Sequence, residues 1–146
     1  MELEKILIVD DNEDLTHALE IRLRANGYQV LVARDGASAV SQAAAQKPFA
    51  VILDLHLQKE DGLALMQEIH QHSELSSVPV IVVSADCSPI TQHKSLDAGA
   101  HAFLEKPVNH RLLLHTLHDI QMRSRKPEAS KVSPQARPLY DSNIWK

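Results

Sequence analysis

The sequence predicts an α/β fold, a doubly wound five-stranded parallel sheet, and three observations predict it. Short runs rich in Ile and Val recur along the chain, and each stops at a polar or charged residue. Runs this short, with no polar alternation, read as strands buried on both faces of a parallel sheet. Between them lie segments whose apolar residues recur at three- and four-residue steps, the mark of a helix with one buried stripe. The two patterns alternate along the chain, which implies right-handed crossovers and helices on both faces of the sheet.

The elements follow in order. Strands are expected near residues 5–9, 29–33, 50–54, 79–83 and 101–104. Leu15, Ala18, Leu19 and Leu23 form the stripe of the first helix, which Asp11, Asn12 or Asp14 could cap and Gly27 stops. Ala37–Gln46 is Ala-rich and ends before Pro48, through which a helix cannot continue. Leu63, Met66 and Ile69 give the third helix its stripe. Pro89–Ala98 forms a fourth, closed by Gly99, and Leu112, Leu113, Leu117 and Ile120 mark a fifth after an Asn109 cap. Beyond Met122 the periodicity stops. The expected organisation is therefore a domain over residues 1–123 and a flexible, Pro-containing extension over 124–146, in which Leu139, Tyr140, Ile144 and Trp145 stand out.

Composition narrows the function classes. At 146 residues the chain suits one domain with a sizeable core. Residues 1–123 hold 17 Asp and Glu against 10 Lys and Arg, a balance of −7, whereas residues 124–146 hold 2 against 5, a balance of +3. An acidic body lacks the basic face that nucleic-acid binding needs, so no direct nucleic-acid binding is expected. No apolar stretch is long enough to span a bilayer, and Met1-Glu2-Leu3-Glu4-Lys5 lacks the basic start of a leader, so no membrane partner is expected. Cys87 is the only cysteine, which excludes an internal disulfide and fits a reducing, cytoplasmic location.

The residues that end the apolar runs carry the chemistry. Ile6-Leu7-Ile8-Val9 runs into Asp10-Asp11, and Val51-Ile52-Leu53 into Asp54. Val80-Ile81-Val82-Val83 runs into Ser84, and Ala102-Phe103-Leu104 leads to Glu105-Lys106-Pro107. Open α/β sheets bind ligands beyond the carboxyl ends of their strands. Taken singly, each residue could be a helix cap, a turn carboxylate or a surface charge. Taken jointly they deliver carboxylates, a hydroxyl and an ammonium to one edge, an inventory suited to a divalent cation and a phosphoryl group. Two like charges about 4 Å apart cost about 4 kcal/mol at an effective dielectric near 20, so clustered carboxylates call for a cation.

Val9-Asp10-Asp11-Asn12, Ile52-Leu53-Asp54-Leu55, Val82-Val83-Ser84-Ala85 and Glu105-Lys106-Pro107 together resemble the receiver domain of two-component response regulators. Gly62, eight residues past Asp54, and Asp97-Ala98-Gly99-Ala100 fit the same pattern, and the resemblance covers about residues 4–122. It implies the flavodoxin-like receiver fold, with strand order 2-1-3-4-5. It further implies that Asp54 accepts a phosphoryl group from a histidine kinase or histidine phosphotransfer protein. Asp10, Asp11, Asp54 and the backbone carbonyl of His56 would hold Mg²⁺ or Mn²⁺, a hard cation that takes oxygen ligands. Lys106 and Ser84 would each meet a phosphoryl oxygen. Ser84 and Phe103 would form the switch that remodels the face of the fourth helix, fifth strand and fifth helix, where a downstream effector or a second copy would dock. The implied activity is Mg-dependent phosphoryl acceptance and autodephosphorylation, not turnover of a separate substrate, and Lys106-Pro107 is expected to be cis.

The pattern has departures. Gln58 stands where the family usually has Pro, which leaves the loop after Asp54 less rigid on sequence grounds. His56 and Asp86 lie at positions that influence phosphoryl lifetime in the family, so that lifetime cannot be inherited from a relative. His70, His72, His115 and His118 fall on helical patterns and read as surface residues. A phosphatase of the haloacid dehalogenase type would want an acid two residues past its nucleophile, where this chain has His56. A dinucleotide-binding domain would want a Gly-rich turn where it has Asp10-Asp11-Asn12-Glu13. The remaining alternative is a stand-alone scaffold or adaptor of the same fold whose output does not depend on phosphorylation.

Overall fold

The computed structural model describes the backbone of residues 3–125 and the side chains of residues 3–123. Strands β1 (Lys5–Val9), β2 (Gln29–Ala33), β3 (Ala50–Asp54), β4 (Val80–Ser84) and β5 (Ala102–Glu105) alternate with helices α1 (Glu13–Ala25), α2 (Gly36–Gln46), α3 (Gly62–Gln71), α4 (Pro89–Asp97) and α5 (His110–Arg125). The strands form one parallel sheet in the order β2-β1-β3-β4-β5, the order the resemblance implies. The sequence reading located all five strands to within a residue.

Alternate strand residues feed two separate cores. Leu7, Val9, Val51, Leu53, Val82 and Phe103 pack with Ala39 and Ala43 of α2 and with Leu65, Met66 and Ile69 of α3. Ile6, Ile8, Ile52, Ile81, Val83 and Leu104 pack with Leu19 and Leu23 of α1 and with Leu113, Leu117 and Ile120 of α5. A strand covered on both faces has no use for alternation, which is why these runs are uniformly apolar.

The helix ends obey local chemistry. Asn12 caps α1 by accepting the Leu15 N–H at 3.0 Å, Asn109 accepts the Leu112 N–H at 3.0 Å, and Ser88 caps α4, which has Pro89 in its first turn. Gly27 and Gly99 take φ of +91° and +115° just after α1 and α4, a region that costs residues with a Cβ more.

Three side chains differ from their expected placement. Ala18 is exposed on α1, and Thr16 is buried in its stead because its hydroxyl donates to the Glu13 carbonyl at 3.0 Å. Leu65 rather than Leu63 completes the buried stripe of α3. His70 is half-buried, with Nε2 2.9 Å from the Val78 carbonyl, whereas His72, His115 and His118 are exposed as expected. α4 has a weak footing in the core. Ser95 is its one buried residue, and Ile90 and Leu96 lie exposed. No described helix is long and apolar enough to cross a membrane. Leu139, Tyr140, Ile144 and Trp145 lie outside the described residues.

Candidate functional site

Parallel register brings the ends of β1, β3 and β4 and the residue after β5 to one edge of the sheet. Asp10 follows β1 directly, Asp54 and Ser84 are the last residues of β3 and β4, and Lys106 follows β5. Asp10, Asp54 and Ser84 are buried, Asp11 and Lys106 half-buried. The Lys106 Nζ lies 3.2 Å from Asp54 Oδ2 and 3.4 Å from Asp10 Oδ2, so one ammonium serves two carboxylates. The Lys106–Pro107 peptide bond is cis, as expected.

Each carboxylate also takes a backbone donor. Asp10 Oδ1 accepts the Asn12 N–H at 2.9 Å, and Asp54 Oδ1 accepts the His56 N–H at 3.0 Å. Asp11 Oδ2 accepts the Gln58 N–H at 2.8 Å. Burial pushes the Asp10 carboxyl above the ordinary value of 3.8; the Asn12 N–H opposes this, Asp54 adds to it, and Lys106 pulls back. The site thus holds more negative charge than its own ammonium compensates.

That excess fits a cation. Asp10, Asp11 and Asp54 can each offer one oxygen, and these atoms all lie within 4.8 Å of one another. Oxygen-only donors that leave room for water suit a hard, octahedral ion such as Mg²⁺. The residues present therefore fit the group that the resemblance implies.

Two features near the cluster were not foreseen from the sequence. The first is a short hairpin after Asp54, in which His56–Leu57 pairs antiparallel with Glu60–Asp61. Three further contacts fix it. Gln58 meets Asp11, Glu60 Oε1 accepts the Gly36 N–H at the start of α2 at 2.7 Å, and Gly62 sits against the backbone of Asp54 and Leu55. A Cβ on Gly62 would come within 2.7 Å of the Leu55 Cα, so only glycine fits there. The loosening expected from Gln58 in place of proline is thus met by pairing and hydrogen bonds.

The second feature is a chain of bonds from Ser84 to α4. The Ser84 Oγ accepts the Asp86 N–H at 3.0 Å, and Asp86 accepts the Thr91 hydroxyl at 2.7 Å and the Ser88 N–H at 3.1 Å. α4 begins at Pro89 as expected, but the Asp86–Thr91 contact spans a turn that no periodicity marks. Phe103 is buried in the core on the α2–α3 side, and it also lines a cleft of about 260 Å³ with Cys87, Gln92, Glu105, Lys106 and Pro107.

The order of motifs, the strand order and the strand-end cluster agree with the comparisons. A family model described as the response regulator receiver domain matches residues 6–118. The chain belongs to that family. The receiver is 38% identical over 105 residues to the transcriptional regulatory protein KdpE of Staphylococcus aureus, which covers 72% of this chain and 44% of that protein. It is 31% identical over 127 residues to the response regulator MprA of Mycobacterium bovis, covering 87% of this chain and 54% of that protein. The chain spans about half the length of the curated relatives it matches. Among solved structures it resembles a putative response regulator from Chloroflexus aurantiacus, with TM-score 0.79 and 30% identity, covering 84% of this chain and 100% of that one. The chemotaxis protein CheY4 of Vibrio cholerae gives TM-score 0.77 at 26% identity, covering 82% of this chain and 99% of that one. Receivers of two-component systems accept a phosphoryl group, bind Mg²⁺ through an acidic pocket, and are generally not turnover enzymes.

Proposed function

We propose that this receiver takes a phosphoryl group from a histidine kinase or histidine phosphotransfer protein onto Asp54, and that the modification alters partner binding through α4, β5 and α5. The observation that carries the assignment is the shared ammonium, because Lys106 bridges Asp54 and Asp10 at 3.2 and 3.4 Å. An anionic carboxylate attacking an anionic phosphoryl group needs charge compensation and alignment more than it needs an acid or base. When bound by Asp10, Asp11, Asp54 and the His56 carbonyl, Mg²⁺ (or Mn²⁺) would supply that compensation. Lys106 would hold a phosphoryl oxygen, its ammonium turning from Asp10 toward the incoming charge. The His56 N–H steadies Asp54 through Oδ1, and the Lys106 ammonium pairs with Oδ2.

Ser84 supports the output half of the reading. Its hydroxyl would donate to a third phosphoryl oxygen, and its movement toward that oxygen would stretch the hydrogen bond it accepts from the Asp86 N–H. That bond leads through Asp86 and Thr91 into α4, the helix least anchored in the core. Phe103 beside the cleft would take up space vacated by the hydroxyl. The module in this reading is residues 1–123, which contain the family match, with residues 124–146 as an extension whose first two residues still belong to α5. An effector or a second copy of the chain would read the altered face, in the cytoplasm where such kinases deliver their phosphoryl groups.

Acetyl phosphate with Mg²⁺, followed by peptide mapping, tests the acceptor. A phosphoryl mass on the Asp54 peptide is expected, absent without divalent cation and absent in Asp54→Asn. An unchanged mass gain in that variant would overturn the assignment.

A further inference from the structure

Gln58 sits in the two-residue turn between Leu57 and Glu60, with its side chain in solvent. Its backbone does something that its exposure does not suggest. The N–H donates to Asp11 Oδ2 at 2.8 Å, joining positions 47 residues apart. A turn amide on an exposed hairpin ordinarily bonds to water. Here it meets a carboxylate, the stronger charge-assisted kind of hydrogen bond.

We propose that the backbone amide of Gln58 positions Asp11 for the metal. One Asp11 oxygen is engaged by the hairpin and the other is left for the cation, so the carboxylate needs no reorientation when the ion arrives. The hairpin can do this because it is itself held in place. Glu60 ties its second strand to the start of α2, and Gly62 lies against the Asp54–Leu55 backbone. Both anchors belong to the segment that carries Asp54, so Asp11 and Asp54 are set relative to each other through one short piece of chain. The identity of the side chain at 58 is immaterial to this role, but the N–H is not, and proline has none to give. The inference rests on Asp11 being a metal ligand, as read above.

The test uses the full chain and two readouts that do not depend on phosphorylation. Amide hydrogen exchange resolved at Gln58 is measured with and without Mg²⁺. Mg²⁺ affinity is measured by calorimetry for the wild type, Gln58→Ala, Gln58→Pro and Asp11→Ala. The Gln58 amide should be protected before metal is added, stay protected when Mg²⁺ binds, and lose protection in Asp11→Ala. Gln58→Ala keeps the N–H and should bind Mg²⁺ as the wild type does. Gln58→Pro should bind roughly three- to tenfold more weakly, the scale of one lost hydrogen bond.

Rapid exchange of the Gln58 amide in the metal-free protein, or loss of its protection when Mg²⁺ binds, overturns the proposal. So does wild-type affinity in a folded Gln58→Pro. Should that variant fail to fold, the exchange data decide alone. Wild-type Mg²⁺ affinity in Asp11→Ala would instead remove Asp11 from the ligand set, a failure of the underlying reading and distinguishable from the others.

Discussion

Val9 and Asp10 are neighbours, as are Leu53 and Asp54, and Val83 and Ser84. Burial hardly separates the members of each pair, at 0 and 2%, 0 and 5%, and 1 and 0% exposed. Their energetics are opposite in sign. A buried Val or Leu contributes about 1.5–3 kcal/mol by leaving water. A buried carboxylate costs free energy unless partners compensate it, and here Asp10 and Asp54 share one ammonium. The bodies of the strands hold the fold together, and the carboxylates of Asp10 and Asp54 at or just past their ends work against it. The boundary between the two regimes is one residue wide, which places uncompensated charge in a rigid setting.

The largest effect expected from this contrast lies on the apolar side. Leu53→Ala, removing a fully buried side chain one residue before Asp54, should cost about 2–5 kcal/mol in urea unfolding. A cost below 1 kcal/mol would break the contrast, since the strand body would then not be carrying stability.

The next effect sharpens the other side. Mg²⁺ should raise the unfolding free energy by about 2.7 kcal/mol at a free concentration one hundred times its dissociation constant. No change in the unfolding midpoint under saturating Mg²⁺ would mean that the carboxylates are already satisfied by Lys106 and the backbone.

The smallest effect has a direction and a pH window. The folded Asp10 carboxyl lies above 3.8, chiefly through burial. A carboxyl with a raised folded pKa binds more protons in the native than in the unfolded state between those two values. Stability therefore falls as pH rises through that window and levels off above it. Asp10→Asn should accordingly stabilise the metal-free protein at neutral pH, and the gain should vanish as pH drops below 3.8. Destabilisation at neutral pH would move Asp10 to the stabilising side of the comparison.

The same contrast explains what was legible in the sequence. Strands covered on both faces leave unbroken apolar runs, so β1, β3, β4 and β5 announced themselves, and the residues that end those runs announced the site. Asp10, Asp11, Asp54, Ser84 and Lys106 do converge on one edge. Most of the contacts that escaped reading use a backbone amide. The Gln58 N–H on Asp11 and the Gly36 N–H on Glu60 depend on where a loop lies in space, and every residue but proline carries an amide. Ala18 was placed in the buried stripe and Thr16 passed over for a related reason. A threonine whose hydroxyl returns to its own helix is buried at little cost, but its one-letter code counts as polar.

Lys106 and Asp10 are 96 residues apart in sequence. Every strand of the sheet must be laid down through alternating crossovers before the two can meet. Such long-range contacts form late and slow a fold that depends on them. A nascent chain that has released β3 but not β5 already carries Asp54 but has no ammonium to set beside it. In the reading proposed above, the Lys106 ammonium therefore joins Asp54 only once the sheet is complete.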